Sequence, residues 1–526
     1  MSGPRRHHYT RWPLVEGYAE RQSVIAGEPI TVHVASRAPS FAVEMVRIGR
    51  SQTVVWRRGG LTADDHPVPE RAWAEGCDWP PAFTIGTDPA WPSGLYEIRF
   101  TAEGVGQEAL AGDERRATSE AFVVLQAADG GAPNRPLLVL ATNTWQAYNQ
   151  WGGRCYYSGA DHVSFQRPIE RGYLRRHVDP DGFDGRIANV AVPSDPEHHR
   201  LQTYQATGEY PLWTASAGWW NWERRFVRWA ESAGIDLDYA VNADLDDPVS
   251  AAAAIGRHRV AVSVGHDEYW TWGMRDALDG FVDGGGRWAV LSGNTCFWQV
   301  RYDGSTMVGY RGRAHADDPV LGTDRRQRLT SMWSDPAVGR PETRTTGLTF
   351  TRGGYHRIGR AVPNGAGAYT VHRPDHWLLE GTGLHYGDRL GADAGIVGYE
   401  VDGCAIEMAD GLPRPSGVDG APTDADIVAT APARLISITD DVCEAPEALW
   451  ASIEPPGDLE GTAMVLFGRD WRDHVEEIGR GHAVLTAFDR GAGSVVNVGT
   501  TDWAYGLDAD PAVQRITGNL LRRFLA

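Results

Sequence analysis

At 526 residues the chain is too long for one ordinary core, and at roughly 100–200 residues per domain it should hold two to four. Apolar residues make up 42% and charged residues 23%, the composition of a folded protein and not of a disordered one. Fifty basic residues against 69 acidic ones leave a net charge of −19, which argues against nucleic acid or an anionic membrane as partner.

No window approaches about 18 uninterrupted apolar residues, so no transmembrane helix is expected. The first residues, MSGPRRHHYTRWPLVEGY, carry basic side chains with no apolar run behind them, so no secretory leader is expected either. Five cysteines (Cys77, Cys155, Cys296, Cys404, Cys443) are scattered without a CxxC pair. That spacing gives neither a disulfide framework nor a thiolate zinc site, and the expected compartment is a reducing cytoplasm. Tryptophan is abundant, 21 residues, and clusters at Trp213, Trp219, Trp220, Trp222 and Trp229, then at Trp270, Trp272, Trp288 and Trp298. Such clusters mark either packing under long loops or the wall of a pocket.

In chain order, β-rich runs over 23–25, 29–35, 41–49, 53–57, 94–102 and 120–125 are separated by turn residues. They predict an antiparallel, Ig-like β-sandwich over 1–128. Residues 129–136 lie in a Gly- and Pro-bearing polar stretch and read as a linker. From 137 the pattern becomes strand, loop, helix. Apolar runs at 137–141, 237–241, 259–264 and 287–291 read as buried strands, with helices over 222–233, 249–255 and 272–282 between them. That order predicts an α/β domain with a parallel sheet and helices on both faces over 137–526. It carries a long irregular insertion at about 300–395, followed by further strands at 396–399, 433–438, 463–467, 483–488 and 494–498 and a last helix at 511–524.

Ligands of parallel sheets gather at the carboxyl ends of strands. Four segments qualify: Asn143 to Asn149 with Trp145 and Tyr148, Asn242 to Asp244, Gly265 to Trp270, and Ser292 to Thr295. The sharpest is Gly265-His266-Asp267-Glu268-Tyr269-Trp270, an elbow between a strand and a capped helix. Its side chains are acid–base groups and metal ligands, or else cap the helix. Candidate catalytic residues are His266, Asp267, Glu268 and Asn294; candidate substrate contacts are Asn143, Trp145, Tyr148 and Trp270. Cys296 reads as a structural thiol, since no helix starts at it. Neither a GxSxG elbow nor a phosphate loop is present.

The elbow and the segment Ser292-Gly293-Asn294-Thr295-Cys296-Phe297-Trp298 resemble the C-terminal region of the N,N-dimethylformamidase large (beta) subunit family. So do Asn143 to Asn149, Ile396 to Asp402 and Gly499-Thr500-Thr501-Asp502-Trp503. The resemblance implies a glutamine-amidotransferase-like α/β fold without the cysteine nucleophile. It implies a hydrolase of small amides or related C–N bonds, with a mononuclear iron (Fe3+) held by two tyrosines and a glutamate. Tyr269 matches one tyrosine and Glu400 the glutamate. For the other tyrosine Tyr239 lies suitably upstream, with Tyr148 and Tyr157 as rivals. A family histidine two residues before the glutamate falls on Gly398, which points away from dimethylformamide itself. The expected partner is a small-molecule substrate, and a homo-oligomer or a small partner subunit stays open. Two competing readings are a non-catalytic carbohydrate- or ligand-binding protein with an aromatic cleft and a metal-free sugar-modifying enzyme.

Overall fold

The computed structural model describes residues 12–105, 115–186, 196–356, 367–437 and 457–526. Two larger sheets form the N-terminal part, beside a short parallel pair of Trp12–Pro13 with Arg115–Arg116. One has five strands in the order Ser23–Ile25, Thr118–Gln126, Gly94–Glu103, Ser40–Ile48, Gln52–Leu61; the other pairs Val15–Ala19, Ile30–Ser36 and Pro81–Ile85. Their facing side chains, among them Val15, Val32, Val43, Ile98 and Val123, close one core.

The remainder is built on nine strands. Asp238–Val241, Leu137–Leu140, Val260–His266, Arg287–Gly293 and Gly493–Asn497 run parallel. Antiparallel strands Gly481–Arg490, Asp426–Ala433, Tyr369–Val371 and Arg389–Leu390 extend the sheet, so it is mixed. Strands in its parallel half are continuous apolar runs because helices cover both faces. Leu138, Leu140, Val262 and Val264 enter one core cluster, whereas Leu137, Val139, Ala261 and Val290 enter another. Asp247 caps the helix Pro248–Ile255, Thr271 caps Trp272–Asp283 and Asp510 caps Pro511–Leu525, each through its side-chain oxygen. The last helix buries Val513, Ile516, Thr517, Leu520, Leu521 and Phe524, a 3.6-residue stripe. No helix among the described residues is long and apolar enough to cross a membrane. The four described cysteines, Cys77, Cys155, Cys296 and Cys404, are buried thiols; Cys443 lies outside the described residues.

Three expectations need correction. Residues 463–467 lie in the helix Asp458–Phe467 and not in a strand. Five apolar residues fit either element, but Asp458 and Glu460 favour a helix N-terminus, and Leu459 and Ala463 pack one turn apart beside Ile478. The strand expected at 396–399 starts at Glu400, because Gly398 N–H donates to the Thr500 hydroxyl and the hydroxyl donates to the Ile396 carbonyl. The strand expected at 433–438 ends at Ala433, and residue 438 lies outside the described residues. The insertion at 300–395 is also less irregular than expected: it supplies strands Thr306–Val308, Thr349–Tyr355, Tyr369–Val371 and Arg389–Leu390.

The five-stranded sheet buries its second face too. Val46, Ile48, Leu95, Phe122 and Val124 share a cluster with Leu138 and Tyr239 of the α/β part. Ser93 Oγ accepts from Tyr239 N–H at 2.9 Å, and Arg47 pairs with Glu231 at 2.8 Å. A protease should cut near exposed Pro133 and Asn134. The pieces should nevertheless co-elute on native gel filtration, because separating them would expose five side chains worth roughly 1.5–3 kcal/mol each. Fragments that elute apart would contradict this account of the seam.

Candidate functional site

The strands Val260–His266 and Arg287–Gly293 are neighbours, and their carboxyl ends deliver His266 and Asn294 side by side. His266 Nδ1 donates to the Ser216 carbonyl at 2.8 Å, which aims Nε2 inward. There Nε2 lies 2.8 Å from Glu400 Oε2 and 3.2 Å from Glu268 Oε2. Burial alone would lower its pKa, but Glu400 and Glu268 outweigh it and hold the imidazole well above its ordinary value. The imidazole thus sits between two carboxyl groups. Asn294 Nδ2 donates to the same Glu400 oxygen at 3.3 Å. The loop that carries it is backbone-strained, with φ of 48° at Asn294 and 58° at Cys296.

Glu268 also collects phenols. Tyr148 Oη donates to it at 3.2 Å and Tyr157 Oη at 2.9 Å, and Tyr269 Oη in turn donates to Tyr157 Oη at 2.8 Å. Burial first, then the Glu268 carboxylate, drives all three phenols well above their usual pKa, so each keeps its proton here. Tyr148 and Tyr157 stack at 4.1 Å, and half-buried Trp213 leans on Tyr157 at 5.2 Å. Tyr148 is buried, whereas Tyr157 and Trp213 are the partly exposed rings of this group.

The structure therefore brings together His266, Glu268, Tyr148, Tyr269, Asn294 and Glu400, and adds Tyr157, whose hydroxyl bonds both Tyr269 and Glu268. It does not bring Tyr239, which is buried beside Arg47 and Glu231 at the seam, its hydroxyl unpartnered among the described residues. A strand side chain alternates between faces, and Tyr239 points to the sandwich face. Asp267 points away from its neighbours His266 and Glu268, toward Asn242 at 3.4 Å, and burial pushes its carboxyl up to about 6. Asn143 is satisfied internally: it accepts from Tyr302 Oη at 2.6 Å and donates to the Tyr269 carbonyl at 2.9 Å. It positions Tyr269 and is closed to substrate. Trp145 bonds Glu223 against Phe122, and Trp270 bonds the Asp267 carbonyl and packs on Trp288; both are core. Tyr157 and Ser216 lie in the short 3-10 turns Tyr156–Ser158 and Leu212–Ser216, far from the elbow in sequence, and the tryptophan cluster around Trp213 was the compositional sign of that aromatic group. Among the described residues no group of three or more His, Cys, Asp or Glu is arranged to hold a metal ion. The oxygens gathered here are largely phenolic.

Gly398 admits no side chain, since a Cβ there would lie 2.3 Å from Asp502, itself held by Arg186 and Trp222. Glu400 thus has its imidazole partner from His266 and not from two residues upstream.

Residues 42–516 match the family described as N,N-dimethylformamidase beta subunit-like, C-terminal, and the chain belongs to that family. It is similar to the N,N-dimethylformamidase beta subunit of Paracoccus aminophilus, at 27% identity over 262 residues, 45% of this chain and 31% of the relative. It is also similar to that of an Alcaligenes species, at 28% over 203 residues, 35% of this chain and 24% of the relative. The matched stretch thus spans less than a third of either relative's length.

Proposed function

We propose that the chain is a hydrolase of small amide or related C–N bonds that works with iron held by phenol and carboxylate oxygens. The observation that carries this is the contact of Tyr157, Tyr269 and Glu268 oxygens at 2.8–2.9 Å inside a buried aromatic site. Cis ligands on a hard cation with bonds of about 2.0–2.2 Å keep roughly that separation. The donor set fits Fe3+: Tyr157 and Tyr269 would hold it with Glu400, and Glu268 is the carboxylate next to the phenols. When bound, such a cation polarises a carbonyl and acidifies water.

The other residues have separable tasks. The Glu268–His266–Glu400 cluster is the acceptor for water's proton, and Asn294 fixes the Glu400 oxygen that faces His266. Tyr148, Tyr157 and Trp213 exclude bulk water and suit a small, weakly polar substrate. The parallel half of the sheet is read as amidotransferase-like, with its chemistry at the strand ends. Buried thiols fit a reducing cytoplasm. Both relatives carry the name of a subunit, so the assayed material needs its assembly mass determined.

The test is amine release from a panel of small N-alkyl amides by iron-loaded protein. Release that stops on chelation and returns with iron is expected. Glycan binding without any amide turnover would overturn the reading.

A further inference from the structure

At the seam between the sandwich and the α/β part lies a cavity with about 290 Å³ of free space, its open mouth included. Tyr18, Phe122 and Phe165 form its aromatic lining, and Gln22, Gln146 and Arg167 bring polar groups to it. Gln22 lies between the strands Val15–Ala19 and Ser23–Ile25, pinned by its carbonyl, which accepts from Val124 N–H at 2.8 Å. Both polar atoms of its side chain, Oε1 and Nε2, are buried without a hydrogen-bond partner among the described residues. Exchanging oxygen and nitrogen would leave the amide equally unpartnered.

The other two polar groups are held from behind. Gln146 Oε1 accepts from Asn149 Nδ2 at 3.1 Å, which leaves Nε2 as the end of that amide without an acceptor among the described residues. Arg167 is buried, and among the described residues its guanidinium donates to carbonyls alone. These belong to Ser164 at 2.9 Å, Trp151 at 2.6 Å, Gln146 at 3.3 Å and Arg154 at 3.4 Å. Four bonds leave one of the five guanidinium N–H groups over, on Nη2. The cavity thus presents mostly donors, a positive charge, and one acceptor, Gln22 Oε1.

We infer that this cavity is a second ligand site, separate from the catalytic cluster, for a small primary or N-monoalkyl amide. A side-chain amide with both ends unpartnered is completed by a group that carries a donor and an acceptor side by side. The H–N–C=O edge of an amide does so. Its N–H donates to Gln22 Oε1 while its oxygen accepts from Gln22 Nε2, and that oxygen's second lone pair is left for Gln146 or Arg167. A carboxylate would satisfy the donors but set a second acceptor against Gln22 Oε1. A dialkylated amide has no N–H to give. Small alkyl groups suit the aromatic lining. The inference goes beyond the hydrolase reading and does not depend on it, because it concerns binding alone.

Acetamide, N,N-dimethylacetamide and acetate are titrated into the purified chain and into Gln22→Met, with saturation-transfer NMR reading binding and any acetate formed. Met keeps the length of Gln and removes both polar atoms, and the catalytic cluster is left as it was. Wild type should show a saturable acetamide component, with Kd on the order of 1 mM, that Gln22→Met lacks. N,N-dimethylacetamide and acetate should show that component about 10-fold more weakly or not at all. The melting temperature of Gln22→Met should match or exceed that of wild type, since no unpartnered amide is buried there. The wild-type comparison of the three ligands decides the matter even if the variant folds poorly. The same acetamide titration in both proteins would leave the cavity to water and overturn the inference. Acetate or N,N-dimethylacetamide binding as well as acetamide would overturn the ligand class.

Discussion

Tyr157→Phe should leave the protein folded but without iron and without amide turnover, whereas Tyr239→Phe should keep both. The two substitutions delete the same atom from the same residue type. At position 157 that atom accepts from Tyr269 and donates to Glu268, so its loss breaks the oxygen mesh at its centre. The local cost is about 1–3 kcal/mol of unsatisfied hydrogen bonding, small enough for the fold to survive. Glu268 still keeps Tyr148 and His266, which limits the damage. At position 239 the hydroxyl is buried beside Arg47 with no hydrogen-bond partner among the described residues, so its removal should be neutral or slightly stabilising. Iron content, visible absorption and melting temperature on both variants decide the matter. Full iron in Tyr157→Phe, or loss of iron in Tyr239→Phe, would reverse the assignment of the second tyrosine.

Gly293→Ala should cost activity on the order of 100-fold, because a displacement near 1 Å at a reacting group has that effect. A Cβ at this strand end would lie 2.5 Å from Thr501 N, 2.7 Å from Thr500 C and 2.8 Å from the Glu400 carbonyl oxygen. All three are backbone atoms, and Thr501 N–H holds that same carbonyl at 3.1 Å. None can swing aside as a side-chain tip would, so the Glu400 strand itself must move. Stability should fall by about 1–3 kcal/mol, the usual range for overpacking. Gly280→Ala is the control: that glycine is exposed in the helix Trp272–Asp283 with nothing within 4 Å of its Cβ position. It should be neutral for activity and stabilising by up to about 1 kcal/mol. Comparable kcat in Gly293→Ala and wild type would show that Glu400 is not placed by this contact.

Much of this architecture was legible because burial writes periodicity into sequence. The runs at 137–141, 259–264 and 287–291 are apolar throughout since both sheet faces are covered, and their carboxyl ends located His266, Glu268 and Asn294. Single-residue alternation was the part most easily misjudged. It sends Asp267 away from Glu268 and Tyr239 to the seam, so adjacency in sequence overstated both. Asn143, Trp145 and Trp270 looked like site residues because polar and aromatic side chains are uncommon in a core. Each is there because its polar atom has an internal partner. Tyr157 and Trp213 reach the site from the short 3-10 turns Tyr156–Ser158 and Leu212–Ser216, and no local period records that convergence. The strand Val15–Ala19 is interrupted by Gly17, and Pro81–Ile85 opens on proline, so neither shows the alternation of a central strand.

The central claim, two phenols and a carboxylate around iron, is tested most directly by the metal content and visible spectrum of the purified wild-type chain. Near-stoichiometric iron with a phenolate-to-iron(III) charge-transfer band, lost in Tyr269→Phe and in Tyr157→Phe, is the predicted result. A colourless protein that hydrolyses amides without iron, or iron whose band survives both substitutions, would contradict it.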